Sequence, residues 1–350
     1  MRAVGYRKSL PIEDANSLLD VEVDRPEPGD HDLLVEVKAV AVNPVDTKVR
    51  KRAEPPEGEV KILGYDAAGV VVATGAKTKL FKPGDEVFYA GSLVRQGTNS
   101  QFHAVDERIV GRKPKNLTFA QAAALPLTSI TAWEMLFDRL GVKKNDASDK
   151  RSLLLVGGAG GVGSIAIQLA RKLTSLTVIA TASRSETIAW CRDLGAHHVV
   201  NHSRPMPEQL KALGFAHCDL VVSLTATDAH LPAMAEIVAP QGKFGLIGRS
   251  KIVRRAFVQA QERVAALGIH VHAPDVRHPR HRRAECAAQR GFRAGRSRRD
   301  PHHADGDVRD HQRRQPAPRA CADRKRQGQR QDRAGRLLTL SRGISAPPKK

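Results

Sequence analysis

The sequence predicts an α/β protein: a β-rich domain over residues 1–125, then a domain built on a doubly wound parallel sheet over 126–248. Three observations carry this. From residue 151 to 248, short apolar runs alternate with stretches of helical period. Before residue 125 the apolar runs are separated by turn signals instead, and after residue 250 the composition changes. A chain of 350 residues also exceeds what one ordinary core serves.

In the first domain, LLVEVKAVAV (33–42), AAGVVVATG (67–75) and DEVFYAG (85–91) read as strands. Turn signals at Pro28-Gly29, Pro55-Pro56 and Pro83-Gly84 set them apart, a spacing that predicts a small, irregular barrel. The pattern turns helical in FAQAAALPL (119–127) and stays so through SITAWEMLFDRL (129–140). Strands are then expected at SLLLV (152–156), LTVIATAS (176–183), HHVVN (197–201), CDLVVSL (218–224) and GKFGLIG (242–248). Helices are expected after the glycine turn, over 185–194, near 207–213 and over 228–238. Repeated β-α-β units imply right-handed crossovers and a ligand crevice beyond the carboxyl ends of the strands.

That crevice opens on SLLLVGGAGGVGSIAIQLARK (152–172). Gly158, Gly160 and Gly163 fit G-x-G-x-x-G between a strand and a helix, where one glycine serves the turn, one the approach of a pyrophosphate, and one helix packing. The N–H groups of the helix start, aided by its dipole, would face the phosphates. A tight turn with no ligand would also favour glycine. At the end of the second strand, where NAD-binding units place an acid for the ribose hydroxyl, stand Thr181, Ala182, Ser183 and Arg184. A hydroxyl and a guanidinium suit a 2′-phosphate, which a carboxylate would repel, so NADPH is expected over NADH. Arg184 as a solvated loop residue, with Glu186 nearby, is the plain alternative.

The net charge of +20 is unevenly spread. Residues 1–250 hold 31 Lys+Arg against 28 Asp+Glu, whereas 251–350 hold 26 against 9, of which 22 are Arg. The C-terminal segment lacks Tyr, Trp, Met and Asn and shows no sustained strand or helix period, so it is expected to be disordered or non-native. No run of 18 apolar residues exists and the start lacks a signal-peptide pattern, which points to a cytoplasmic protein without a membrane span. Cys191, Cys218, Cys286 and Cys321 lie far apart and fit reduced thiols.

AVNPVDTKVR (41–50), LGYDAAGVV (63–71), KPGDEVFYAG (82–91), AALPLTSITAW (123–133) and LLLVGGAGGVGSIAIQLA (153–170) together resemble the medium-chain dehydrogenase/reductase superfamily. Within it, they resemble the quinone oxidoreductase-like, zinc-type alcohol dehydrogenase-like branch, over about residues 1–248. The resemblance implies a GroES-like domain and a Rossmann domain with the active site between them, and a homodimer for the intact fold. It also implies that Thr128 approaches the nicotinamide phosphate, and that Gly160, Gly161 and Val162 approach the pyrophosphate. Ser183 and Arg184 would meet the adenosine ribose phosphate, Asn201 the ribose region, and Leu224 and Ile247 the nicotinamide side. Zinc-dependent relatives carry Cys and Gly-His-Glu at their catalytic metal, where this chain has Asn43 and Gly64-Tyr65-Asp66, and the four-cysteine structural loop is missing. No zinc is expected; His103 is the nearest alternative ligand.

Without a Lewis acid, alcohol oxidation is disfavoured, and hydride transfer from NADPH to a quinone or an α,β-unsaturated carbonyl is the expected reaction. Asn43, Tyr65 and Tyr89 are the candidate catalytic donors, with Thr128 also able to donate. Strand-end tyrosines also serve packing, and Asn before Pro serves turns.

The likeness ends near Ile247, and residues 249–350 are read as an off-frame product. Codons for IHVHAPDVRH (269–278) can be chosen so that a one-base shift reads FMFTRPMFG, and those for 281–298 so that it reads IVEQNALLNEVSELVDR, an amphipathic helix. Two other readings stay open: an inactive relative, or nucleic-acid binding through the basic segment. The latter is poorly supported, with only Phe257 and Phe292 for stacking. On the off-frame reading, brief trypsin treatment clips the given chain within 251–340, whereas a chain with the shifted reading after Ile247 resists and reduces quinones faster. Equal resistance and equal activity would contradict it.

Overall fold

The computed structural model describes residues 1–247 and the backbone of 270–272. The remaining residues of the Arg-rich segment, and with them the expectation of disorder, lie outside the described residues.

The first part holds β1 (Arg2–Tyr6), β2 (Leu19–Glu22), β3 (Asp32–Val40), α1 (Pro44–Arg50), β4 (Lys61–Ile62), β5 (Asp66–Thr74), β6 (Glu86–Ala90), β7 (Phe102–Asp106) and β8 (Val110–Arg112). They form two antiparallel sheets, β2-β1-β4 and β7-β3-β5-β6-β8. Alternation along the larger sheet buries Leu33, Val35, Ala67, Val71, Val87, Tyr89 and Val105 in one cluster. Ala68, on the other face of β5, packs against Ala122 and Ala123. The helix α1, unforeseen in AVNPVDTKVR, begins with Asn43 as N-cap and Pro44 in the first turn, where a missing N–H costs nothing.

The chain then forms α2 (Phe119–Ala123) and α3 (Pro126–Trp133). The single helix expected over 129–140 instead widens into a π-helical turn, Glu134–Arg139. Gly245 leaves room there for the Met135 thioether, and Lys243 Nζ closes the turn by donating to Leu140 O at 2.7 Å.

The second part runs β9 (Ser152–Val156), α4 (Gly161–Leu173), β10 (Thr177–Thr181), α5 (Ser185–Asp193), β11 (His198–Val200), α6 (Met206–Ala212), β12 (Cys218–Ser223), α7 (Thr227–Ile237), β13 (Val238–Leu246) and β14 (His270–His272). All pairs in the sheet β11-β10-β9-β12-β13-β14 are parallel. Leu153, Leu155, Val178 and Leu220 face the cluster that includes α4, while Leu154, Val156, Ile179 and Val221 face the one that includes Leu210 and Met234. Strand order reverses between β9 and β12, which opens a crevice at the carboxyl edge.

One further strand follows: His270–His272 pairs along β13 in register Lys243↔His270 and Gly245↔His272. Sheet pairing is made by backbone groups, so a three-residue strand needs no longer side-chain period. Cys191 and Cys218 are buried free thiols, and no described helix is long and apolar enough to cross a membrane.

Candidate active site

The glycine turn hangs on the end of β10. After Val156 the chain reverses at Gly157 (φ +92), a backbone state that favours glycine. The Gly157 N–H donates to Thr181 Oγ1 at 3.0 Å and the Gly158 N–H to Thr181 O at 3.0 Å. A Cβ on Gly163 would lie 2.5 Å from the carbonyl oxygens of Gly157 and Gly158, so this glycine lets α4 seat against the turn. Gly160 and Gly161 are exposed, and Gly160 caps α4 without a side chain. The first N–H groups of α4, at Gly161, Val162 and Gly163, have no carbonyl four residues back within the helix and form a ready anion cradle.

The side of α3 that carries Thr128 lies against this cradle: a Cβ on Gly161 would stand 3.0 Å from Thr128 Cγ2. The Thr128 hydroxyl donates back to Leu125 O at 3.0 Å, so its remaining hydrogen-bonding capacity is as an acceptor. Ser183, half-buried, and Arg184, exposed, follow β10; the Arg184 N–H meets Thr187 Oγ1 at 3.2 Å as α5 begins. Asn201, after β11, donates its N–H to Gln209 Oε1 and accepts from the Ser203 N–H with its side-chain oxygen, each at 2.8 Å. The Leu224 N–H bonds to Val156 O and the Ile247 N–H to Ser223 O, which places both at the same carboxyl edge. His202 is absent from the residues that sequence reasoning nominates: its Nδ1 lies 3.1 Å from Thr181 Oγ1, beneath the turn. Its only signal in the sequence is its position next to Asn201 at a strand end.

On the barrel side two carboxylates organise the start of α1. Asp46 Oδ2 accepts the Asn43 N–H at 2.7 Å and Asp46 Oδ1 the Gly64 N–H at 3.0 Å. Gly64 is required there, with φ +107 and no room for a Cβ beside Thr98 and Asn99. Asp66, fully buried, accepts from Asn43 Nδ2 with one oxygen and from the Leu127 N–H of α3 with the other, both at 2.8 Å. Burial lifts its pKa to about 7, with the Asp46 charge adding to the rise and the Asn43 and Leu127 donors opposing it. Burial also raises Asp46, against the N–H groups it accepts. Neither aspartate stands out in the sequence as a hub, although Asn43-Pro44-Val45-Asp46 carries a helix-start signature.

Neither candidate tyrosine hydrogen-bonds to Asn43 or Asp66. Tyr65 packs with Tyr6 and Leu63; burial pushes its phenol to about 12, and its hydroxyl has no hydrogen-bond partner among the described residues. Tyr89 pairs with Ala67 across the sheet, so it points to the barrel interior, on the face opposite Asp66. Its hydroxyl meets His103 Nδ1 at 3.1 Å, and His103 Nε2 meets Gln96 O at 3.0 Å. A neutral ring satisfies both contacts, and burial holds the His103 pKa down at about 4. The candidate ligand His103 is thus engaged inside the barrel.

Residues 29–132 match the alcohol dehydrogenase GroES-like domain, and residues 161–278 match the zinc-binding dehydrogenase family, a span that runs past 248 and includes β14. The chain is 40% identical over 248 residues to a zinc-type alcohol dehydrogenase-like protein of Staphylococcus epidermidis, covering 71% of this chain and 73% of the relative. It is 35% identical over 243 residues to a chloroplastic NADPH-dependent alkenal/one oxidoreductase of Arabidopsis thaliana, covering 64% and 60%. Among solved structures, a Rhizobium etli CFN 42 protein described as a zinc-dependent alcohol dehydrogenase superposes with TM-score 0.75 at 47% identity, over 97% of this chain and 86% of that one. A Pseudomonas syringae quinone oxidoreductase superposes with TM-score 0.65 at 26% identity, over 79% and 81%.

The names of these relatives raise zinc, which takes thiolate, imidazole or carboxylate ligands in a tetrahedral set. Around Asp66 the chain offers one doubly engaged carboxylate, an amide presenting its nitrogen, and a phenol packed away in an apolar cluster. Among the described residues, no three His, Cys, Asp or Glu side chains gather closely enough to hold a metal. This donor set does not fit the ion.

Asp66 and His103 give opposite pH dependences of stability. The folded pKa of Asp66, about 7, lies above its ordinary value of 3.8, so its stabilisation is full below pH 4 and is lost as pH rises to 7; Asp46 adds in the same sense. For His103, about 4 against 6.5, stabilisation is full above pH 6.5 and is lost as pH falls to 4. Each effect is on the order of 3–4 kcal/mol. Urea midpoints at pH 4.5 and 6.5 are therefore expected to rise with pH in Asp66→Asn and to fall with pH in His103→Gln. Parent-like slopes in both variants would contradict these assignments.

Proposed function

The chain belongs to the medium-chain dehydrogenase/reductase superfamily, in its quinone oxidoreductase-like branch, and from that membership we propose a zinc-independent, NADPH-dependent reductase of quinones or α,β-unsaturated carbonyls. The observation that carries the reading is the meeting of the glycine turn with α3 beside Asn43 and Asp66, a dinucleotide cradle opening on a site without a metal-ligand set. The likeness to the Arabidopsis protein named as an NADPH-dependent alkenal/one oxidoreductase supports the NADPH and enone parts of this reading. So does the lack of an acid from Thr181 to Arg184.

When bound, NADPH supplies a hydride to the electron-poor carbon of the acceptor, and water supplies the proton. The first N–H groups of α4 hold the pyrophosphate. Ser183 and Arg184 hold the 2′-phosphate, Asn201 borders the ribose, and Leu224 and Ile247 back the nicotinamide with apolar surface. Asn43 donates one Nδ2 proton to Asp66; the other reaches only Ala41 O, at 3.5 Å, a contact weak enough to yield to the acceptor oxygen as it gains charge. Val40 and Val42, 42% and 78% exposed, precede Asn43, and Ile130, 39% exposed, follows Leu127 by about one turn; in this reading these exposed apolar side chains meet the flat acceptor. Tyr65 and Tyr89 carry no catalytic role in this reading.

The test is NADPH oxidation by quinones and enones with chelator present, alongside binding of both dinucleotides. Activity is expected to survive chelation, and NADPH to bind more tightly than NADH. Arg184→Ala is expected to remove on the order of 1.5–3 kcal/mol of that preference and leave NADH affinity nearly unchanged. Equal affinity of the parent for both cofactors, or activity lost with one zinc per chain, would overturn the reading.

A further inference from the structure

The carboxylate of Asp66 touches neither the glycine turn nor an open surface, yet it is bonded to both halves of the site. It accepts from Asn43, 23 residues earlier, and from Leu127, 61 residues later. Leu127 adjoins Thr128, the residue whose methyl group faces Gly161. Pro126 at the start of α3 has no N–H, so the Leu127 N–H is the first main-chain donor of that helix, and Asp66 satisfies it. We propose that Asp66 is the positioning residue of the hydride-transfer site, holding the Asn43 amide and the first turn of α3 in a single register so that Thr128 seats on the glycine turn.

The proposal rests on the NADPH reading above. Its chemistry is that of an anion with two donors. The groups facing the carboxylate are the Asn43 amide from the loop before α1, the Leu127 N–H from α3 and the Asp46 carboxylate from α1; the Thr98 hydroxyl donates to the Asp66 main-chain oxygen. Protonation converts one acceptor oxygen into a donor, which opposes either the Asn43 N–H or the Leu127 N–H and loosens one side of the register. Because that protonation falls at about pH 7, the register weakens as pH drops through neutrality. Asp66→Asn fixes the same donor conflict at every pH. Exchanging the two side chains, Asn43→Asp with Asp66→Asn, restores complementarity: the amide now at position 66 would donate to the carboxylate at position 43 and still accept from Leu127.

Both single variants, the exchanged pair and the parent are to be compared by hydrogen exchange over residues 125–133, by NADPH fluorescence titration, and by kcat and KM with a quinone from pH 5.5 to 8.5. In the parent, kcat falls as pH drops through 7. Asp66→Asn is expected to exchange faster at Leu127, to bind NADPH about tenfold more weakly, and to lose about a hundredfold in kcat with little change in quinone KM and a flat pH profile. The exchanged pair is expected to recover most of the Leu127 protection and NADPH affinity, and to stay low in kcat because the Asn43 amide donor is gone. A folded Asp66→Asn chain with parental kcat, pH profile and protection overturns the proposal, as does an exchanged pair with no more Leu127 protection than Asp66→Asn. If Asp66→Asn does not fold, Asp66→Glu, which displaces the oxygens by one methylene, takes its place, and parental kcat in that variant overturns the proposal. If the parent neither binds nor oxidises NADPH, the functional reading fails, and the Leu127 exchange alone then decides whether Asp66 holds α3.

Discussion

A carboxylate without access to water must be met by donors, and the way Asp66 meets this demand ties the molecule together. Its two partners come from a loop after β3 and from the start of α3, so the requirement to satisfy one buried carboxyl group fixes the barrel against the helix that enters the parallel sheet. Asp46 repeats the device one step out, holding the Asn43 main chain and the Gly64 turn. Asn43 is thus held twice, by its backbone and by its side chain, and this gives a small amide a fixed direction beside the crevice.

On the nucleotide side the corresponding anchor is Thr181. Its hydroxyl and its carbonyl receive the N–H groups of Gly157 and Gly158, so the end of β10 carries the glycine turn and at the same time leads to Ser183 and Arg184. The residues that would meet pyrophosphate and those that would meet a 2′-phosphate are therefore set by one strand end. Thr128 joins this anchor to the first, with the Leu127 N–H held by Asp66 on one side and Gly161 facing its methyl group on the other.

Local patterns make the sheet legible. Apolar runs bounded by glycine and polar residues place β9, β10 and β12 within a residue or two at each end, and the glycine fingerprint locates the turn. The Asp66 hub is not legible, because its partners lie 23 and 61 residues away and neither pairing follows a helix or strand period. Tyr89 is a different case, since its strand is legible and its side chain is turned away from Asp66 for a local reason. It stands two residues from Val87 on β6, and alternation alone puts the pair on one face, inside the barrel. The π-helical turn at Glu134–Arg139 depends on the space left at Gly245, more than a hundred residues later, and β14 is a backbone pairing in a segment without side-chain period.

Carbon-13 NMR of labelled aspartate, titrated from pH 4 to 9 while the nitrogen-15 shift of the Leu127 amide is followed, tests the central claim most directly. The account predicts that the Asp66 carboxyl titrates near pH 7 and that the Leu127 amide moves with the same midpoint. An Asp66 carboxyl that titrates near pH 4, with a Leu127 amide indifferent to it, would contradict the account.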